Sequence, residues 1–207
     1  MKKESSIPIN PPTKTYHHGD LRSTLLKEAE AMVRESGIEA LSLRKLSSRV
    51  GVSRTAPYHH FNNKNELLCA IAEQGFCLLD DKIRASFDNK GHLAEDKLRA
   101  YVHGYVKFAK DNPELYELMF GRVIWKQQTS TEDLRSAAYP CFQHQVKMVG
   151  EWQKLELLNK NQNTLRLSQV IWGTLHGIAK LLIDGIYTHS SQVEEICDCA
   201  VELFANQ

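Results

Sequence analysis

Arg54, Thr55 and Ala56 stand in a row between a glycine at Gly51 and an aromatic residue at Phe61, in the stretch GVSRTAPYHHF. Their types suit the edges of base pairs: arginine bonds guanine bidentately, threonine bonds bases or touches a methyl, and alanine meets the thymine methyl. Ser42, Arg44, Ser53, Tyr58, His60 and Lys64 surround them with hydroxyl, imidazole and cationic donors, the groups that hold phosphates and fix register. Taken singly, such a serine is an ordinary cap and such a lysine part of a solvated face. Taken together, the spacing is demanding and points to a nucleic-acid surface.

Something must present these side chains. Ser42 is placed to cap a short helix over Leu43–Val50, whose Leu43, Leu46 and Val50 share one face, and Gly51 ends it. Ser53 is then expected to cap a second helix of barely two turns, which is helix-turn-helix grammar. A helix about 10–12 Å across fits a major groove about 12 Å wide, so its first turn reaches base edges. Pro57 is the odd residue. With Ser53 as N-cap, its missing amide costs one bond at a helix edge, so a slightly opened first turn is expected.

Upstream, Asp20 is placed to cap a helix whose Leu21, Leu25, Ala29, Met32 and Val33 repeat at helical spacing until Gly37. Downstream, Asn62-Asn63 precede a long helical pattern from Lys64 to about Phe87. Further helices are expected at about 93–110, 113–120, 132–157, 163–187 and 192–205. Without an alternating strand pattern the architecture reads as all-α: an N-terminal three-helix unit joined by a long helix to a larger helical domain. The expected divisions are a flexible arm over 1–18, a DNA-binding unit over 19–64 and an effector-binding and dimerisation domain over 65–207.

Bulk properties narrow the classes. With 42% hydrophobic and 25% charged residues the chain of 207 residues reads as a soluble globular protein. It carries no membrane-spanning run and no secretory leader, so the cytoplasm is the expected compartment. Net charge is only +1, but residues 1–64 hold 11 Lys and Arg against 6 Asp and Glu, whereas the remainder holds 15 against 19. A basic N-terminal third matches an anionic partner at one end. The five cysteines, Cys69, Cys77, Cys141, Cys197 and Cys199, form no CxxC pair, so neither a disulfide framework nor a metal centre is expected, and nothing calls for a cofactor.

The stretch LSLRKLSSRVGVSRTAPYHHFNNKNELL, residues 41–68, resembles the TetR-type transcriptional regulators, and YHHGDLRSTLLKEAEAMVRESG, residues 16–37, is similar to their first helix. The YxHFxxKxxL pattern of Tyr58, His60, Phe61, Lys64 and Leu67 is specific to them. The resemblance implies that Arg54, Thr55, Ala56 and Tyr58 lie in the major groove and that Lys64 opens the helix linking to the ligand domain. DNPELYELMFG and WGTLHGIAKLLIDG look like a C-terminal effector domain named for a Trp-His-Gly motif, here Trp172, His176 and Gly177. It further implies a homodimer acting on an operator, and a cavity for a small, mostly apolar effector.

Trp125, Tyr139, His144, Trp152, Trp172 and His176 are the candidates for that cavity, because amphipathic or ionisable tips can orient a ligand. Core packing is the competing reading for each. Gly173 and Gly177 lie within one helix, where each costs about 1 kcal/mol relative to alanine. Close approach of another helix would offset this, either a symmetry mate meeting Gly173, Gly177, Ile178 and Leu182 or a helix of the same subunit. The function expected is a ligand-responsive repressor that binds a palindromic operator as a dimer and is released by a small molecule. The alternative keeps DNA binding but replaces the ligand with thiol oxidation. An enzyme is not expected: no phosphate loop, HExxH or GxSxG occurs, and the histidine pairs at 17–18 and 59–60 lack the spacing of helical metal ligands.

Overall fold

A computed structural model describes residues 21–88, 93–126, 129–187 and 190–205, and within them the chain is all-α. The order is α1 (Leu21–Ala40), α2 (Leu43–Val50), a 3-10 turn (Ala56–His59), α3 (Lys64–Asp88), α4 (Ala94–Asp111), α5 (Pro113–Phe120), α6 (Arg122–Trp125), α7 (Glu132–Lys154), α8 (Thr164–Ile183) and α9 (Ser190–Ala205). The arm over 1–18 and the Asp20 cap lie outside the described residues.

The first helices follow local rules. Leu25, Leu26, Ala29, Met32 and Val33 bury one stripe of α1. Gly37 leaves helical geometry at φ 75°, ψ 169°, as a left-handed residue there must be glycine to avoid a Cβ clash. The Ser42 hydroxyl accepts from the Lys45 amide at 3.2 Å, and Gly51, at φ 78°, ψ 32°, closes α2 with its amide on the Ser47 carbonyl. Arg49 ties α2 to α1 through Glu28 at 2.8 Å and Glu35 at 2.5 Å.

α3 has the strongest start signal. Asn63 Oδ1 accepts from the Glu66 amide at 3.0 Å while Glu66 Oε2 accepts from the Asn62 amide at 2.8 Å, a reciprocal capping arrangement. The helix then crosses the molecule, packing against α1 at its start and against α4, α5 and above all α7 further on. Gly75 permits a close crossing: an added Cβ would sit 2.6 Å from Met119 Sδ and 3.0 Å from a Leu115 methyl. The buried residues of α1 to α9 form one continuous core.

Three boundaries differ from those read in the sequence. α6 is a single turn that no periodicity announces. α7 stops at Lys154 rather than continuing to 157, because Glu156 turns left-handed at φ 58° and Leu157 folds its amide back to the Trp152 carbonyl at 3.0 Å. α8 ends at Ile183, where Gly185 at φ 74° allows the Ile186 amide to return to the Leu181 carbonyl at 2.9 Å.

Candidate nucleic-acid interface and ligand cleft

The segment after Gly51 is not the capped two-turn α-helix expected. Ser53 gives its carbonyl to the Ala56 amide at 3.1 Å, but its hydroxyl lies 3.2 Å from Thr55 Oγ1 rather than capping a backbone amide. Tyr58 and His60 bond back three residues, to Thr55 and Pro57, both at 3.0 Å. The proline explains the tightening: it offers no amide to an earlier carbonyl and disfavours regular α geometry before it. Pro57 itself is buried, so the ring is a packing element as well as a bend.

The result is a short protruding turn. Arg54 and Thr55 are exposed, Ala56 is half-buried and Tyr58 is 52% exposed. Arg54 enters no ion pair among the described residues, leaving its guanidinium available. Behind the turn Phe61 is buried, and the Arg22 guanidinium lies 5.4 Å from its ring centroid. Ser53 and Arg44 are exposed around the turn, with Ser42, His60 and Lys64 half-buried. All nine residues named from the sequence for DNA contact thus lie between the N-cap of α2 at Ser42 and the first residue of α3 at Lys64. Exposed His59 and Lys45 share that surface.

A second feature lies in the larger part of the molecule. Phe76 of α3, Phe120 of α5, Ala138 and Phe142 of α7, and Gln169, Trp172 and Gly173 of α8 line an open cleft of about 360 Å³. None of these residues is charged. The Trp172 ring lies 5.0 Å from Phe142, 6.3 Å from Phe120 and 6.2 Å from Tyr105, and Phe76 lies 5.3 Å from Phe120. Aromatic faces and edges at these separations form a rigid apolar wall.

The six residues named for a cavity divide. Trp172 lines the cleft. His176 is next to it, with its ring centroid 4.9 Å from Phe120, and Trp125 stands behind Phe76 at 6.3 Å with its indole donating to the Met119 carbonyl at 2.6 Å. Trp152 instead fills the core against Tyr101 at 5.6 Å, and is wholly buried away from the cleft. His144 is held between α3 and α7 by Asp80 at 2.7 Å and Arg84 at 3.0 Å, so its polar atoms are already engaged. Tyr139 is 58% exposed and does not line the cleft either. Phe76, Phe120 and Phe142 were not among the named residues. Nothing in a phenylalanine distinguishes a wall from a core until distant helices are brought together.

His176 belongs to a polar chain. Its Nδ1 lies 2.7 Å from the Tyr116 hydroxyl, which lies 3.0 Å from the buried Tyr105 hydroxyl. Burial pushes the His176 imidazole below its ordinary value, with Glu117 opposing and Lys180 adding to that shift. The nearby Lys180 pairs with Glu117 at 2.6 Å and with Asp184.

Among the described residues neither helical glycine of α8 is needed by a neighbour in the same subunit, for a Cβ at Gly173 or Gly177 would meet nothing within 4 Å. No described helix of the same subunit offers the close approach that would offset them. On the same helix Val170 is 61% exposed and Leu181 37%, and on α9 Leu203 is 60% exposed. Ile178, at 8% exposed, is instead committed to the core, and Leu182 is half-buried against it.

Burial pushes the Cys77 thiol up, Cys141 up to about 12 and Cys197 up to about 11. Thiolates are therefore scarce at these three positions near neutral pH, which lends no support to oxidation as the signal. No group of three or more metal-ligating side chains occurs among the described residues, and no helix there is long and apolar enough to cross a membrane.

The cleft and the protruding turn are physically connected. Phe76 lies on the helix that begins at Lys64, and the carbonyl of Thr129, just beyond α6, accepts from Asn65 Nδ2 at 2.8 Å in the first turn of that helix.

Family models match both parts of the chain. Residues 98–204 match the family described as tetracyclin repressor-like, C-terminal domain, and residues 25–71 match that of bacterial regulatory proteins, tetR family. Among curated relatives, the Tn10 TetC protein of Escherichia coli is 32% identical over 103 residues, covering 48% of this chain and 51% of that one. The transcriptional repressor AcnR of Corynebacterium glutamicum is 24% identical over 164 residues, covering 79% and 78%. Over three of the curated relatives that it matches, the Tn10 TetC protein among them, the chain spans only 24%, 51% and 59% of their lengths. A solved protein of unknown function from Rhodococcus sp. RHA1 is 31% identical with a TM-score of 0.82 over 94% of this chain and 98% of that one. The fatty acid degradation regulator FadR of Bacillus halodurans shares the fold at 17% identity, with a TM-score of 0.71 over 92% and 97%.

Proposed function

Because this chain belongs to the TetR family of bacterial regulatory proteins, we propose that it is a ligand-responsive repressor that binds a palindromic operator as a homodimer and releases it when a small apolar molecule fills the cleft. The observation carrying this reading is that one helix serves both ends: α3 supplies Phe76 to the cleft and starts at Lys64, immediately after the protruding turn.

On this reading Arg54, Thr55, Ala56 and Tyr58 address base edges while Ser42, Arg44, Ser53, His60 and Lys64 hold phosphates. A two-fold dimer sets two such turns in successive major grooves about 34–36 Å apart, and the outer side of α8 at Val170, Gly173 and Gly177, together with exposed Leu203 of α9, would supply the surface for a second subunit. An effector entering between Phe76, Phe120 and Trp172 shifts α3 directly and shifts α5 and α6 alongside it. Thr129 passes the second movement to Asn65. The DNA-competent form is disfavoured to the extent that the effector binds the other form better. Repression as the sign of control draws support from the relative AcnR, named as a repressor.

Selection of genomic fragments by the purified protein tests the DNA half. A two-fold symmetric site, protected over both half-sites, is expected; fragments without a common symmetric sequence would refute the dimeric reading. Compounds suggested by the genes beside that site are then screened for release of the fragment.

A further inference from the structure

We propose that Tyr105, Tyr116 and His176 form a one-way hydrogen-bond chain that fixes His176 as a donor through Nε2, and that the cleft consequently takes an uncharged, largely aromatic molecule bearing a hydrogen-bond acceptor such as a ketone carbonyl. This rests on the cleft being an effector site.

The direction follows from counting protons. The buried Tyr105 hydroxyl has Tyr116 as its partner at 3.0 Å, so its proton points there. Tyr116 thereby accepts from Tyr105 and has its own proton left for His176 Nδ1 at 2.7 Å. The reverse order, with Nδ1 donating, would leave the Tyr105 proton buried without an acceptor. Nδ1 is therefore the bare nitrogen and Nε2 carries the hydrogen. The same arrangement opposes an imidazolium, whose Nδ1 proton would face the Tyr116 proton, and burial of the ring acts in that direction too.

Nε2 has no hydrogen-bond partner among the described residues and is not one of their buried unpartnered atoms, so it keeps access to solvent. The ring sits edge-on to Phe120 at 4.9 Å, a wall of the cleft, and one helical turn beyond Trp172 and Gly173. Charge selection follows from what surrounds it. No described residue lining the cleft is ionised, and Lys180, the cation that acts on His176, is held by Glu117 and Asp184. A carboxylate in the cleft would meet apolar walls without gaining a counter-ion. A neutral ring system meets Phe142 and Trp172 instead, with one carbonyl for the imidazole N–H.

Three probes test this on the full chain: the neutral ketone propionyl-dimethylaminonaphthalene, dimethylaminonaphthalene without the ketone, and the corresponding naphthoate anion, each titrated by fluorescence. One neutral hydrogen bond is expected to favour the ketone over the parent amine by about fivefold, with the naphthoate weakest. His176→Phe should bring the ketone-to-amine ratio near one, His176→Gln should keep part of it, and Tyr116→Phe should lower it by releasing the tautomer. Independently, the imidazole nitrogen spectrum of the unsubstituted protein, assigned through the backbone, should show His176 neutral with hydrogen on Nε2 at neutral pH. A hydrogen on Nδ1, an imidazolium, a preferred naphthoate, or an unaltered ratio in His176→Phe overturns the hydrogen-bond chain while leaving an effector cleft standing. Failure of all three probes to bind a protein that still shifts its DNA fragment overturns the cleft as an effector site and this proposal with it.

Discussion

Replacing Pro57 by alanine separates the packing role of the ring from its steering of the neighbouring turn. Pro57 is buried, and its carbonyl accepts from the His60 and Phe61 amides, both at 3.0 Å. Alanine removes two buried methylenes, worth about 0.8 kcal/mol each. It also frees the unfolded chain by about 0.4–1 kcal/mol. Against this, the restored amide can bond an earlier carbonyl for about 0.5–1 kcal/mol. The balance is a loss of about 1–2 kcal/mol, or roughly 0.5–1 M in the urea midpoint at a slope near 2 kcal/mol/M. Urea unfolding measures that shift. Removing the proline also lifts the restriction on Ala56, so the turn is expected to relax toward α geometry and re-aim Arg54 and Thr55. Fragment selection with the variant reads the second effect as altered base preference in each half-site. An unchanged midpoint would refute the packing argument, and unchanged base preference would refute the steering argument.

Arg54→Ala is expected to cost about 1–3 kcal/mol on the selected site and relax preference at one base, whereas Lys64→Ala should weaken all sequences alike and reduce the salt slope by about one; competition binding on single-base variants distinguishes them. Phe61→Ala removes a buried ring under the recognition turn and should destabilise the protein by about 3–5 kcal/mol, measured by urea unfolding. His176, held below its ordinary value of 6.5 in the fold, resists protonation that the unfolded chain accepts. Its contribution is therefore intact above about pH 6.5 and is lost as the pH falls below that value, and His176→Gln should flatten this part of the stability profile.

The two ends of the molecule differ in how much of them is legible in the residues. Ser42, Gly51 and the Asn62 to Glu66 run act on atoms three or four residues away, so the helices they bound can be read directly. The DNA-facing set is compact for the same reason, lying within a short stretch of chain. Even there, the expected α-helix became a 3-10 turn, because a proline and its buried ring outweigh what a serine cap can offer.

The effector region depends on long-range packing. Trp152, Trp172 and Tyr139 are all large amphipathic or aromatic side chains with helical periodicity around them, yet one is core, one lines a cleft and one faces solvent. Their roles depend on the partners that α3, α4 and α5 bring from elsewhere in the chain. The direction of the Tyr105, Tyr116 and His176 chain is likewise decided by burial of one hydroxyl among three helices. The all-α architecture and the recognition segment were determined by short-range rules that act along the chain; the cleft, its neutrality and the pairing of the imidazole beside it were decided only when helices far apart in sequence packed together.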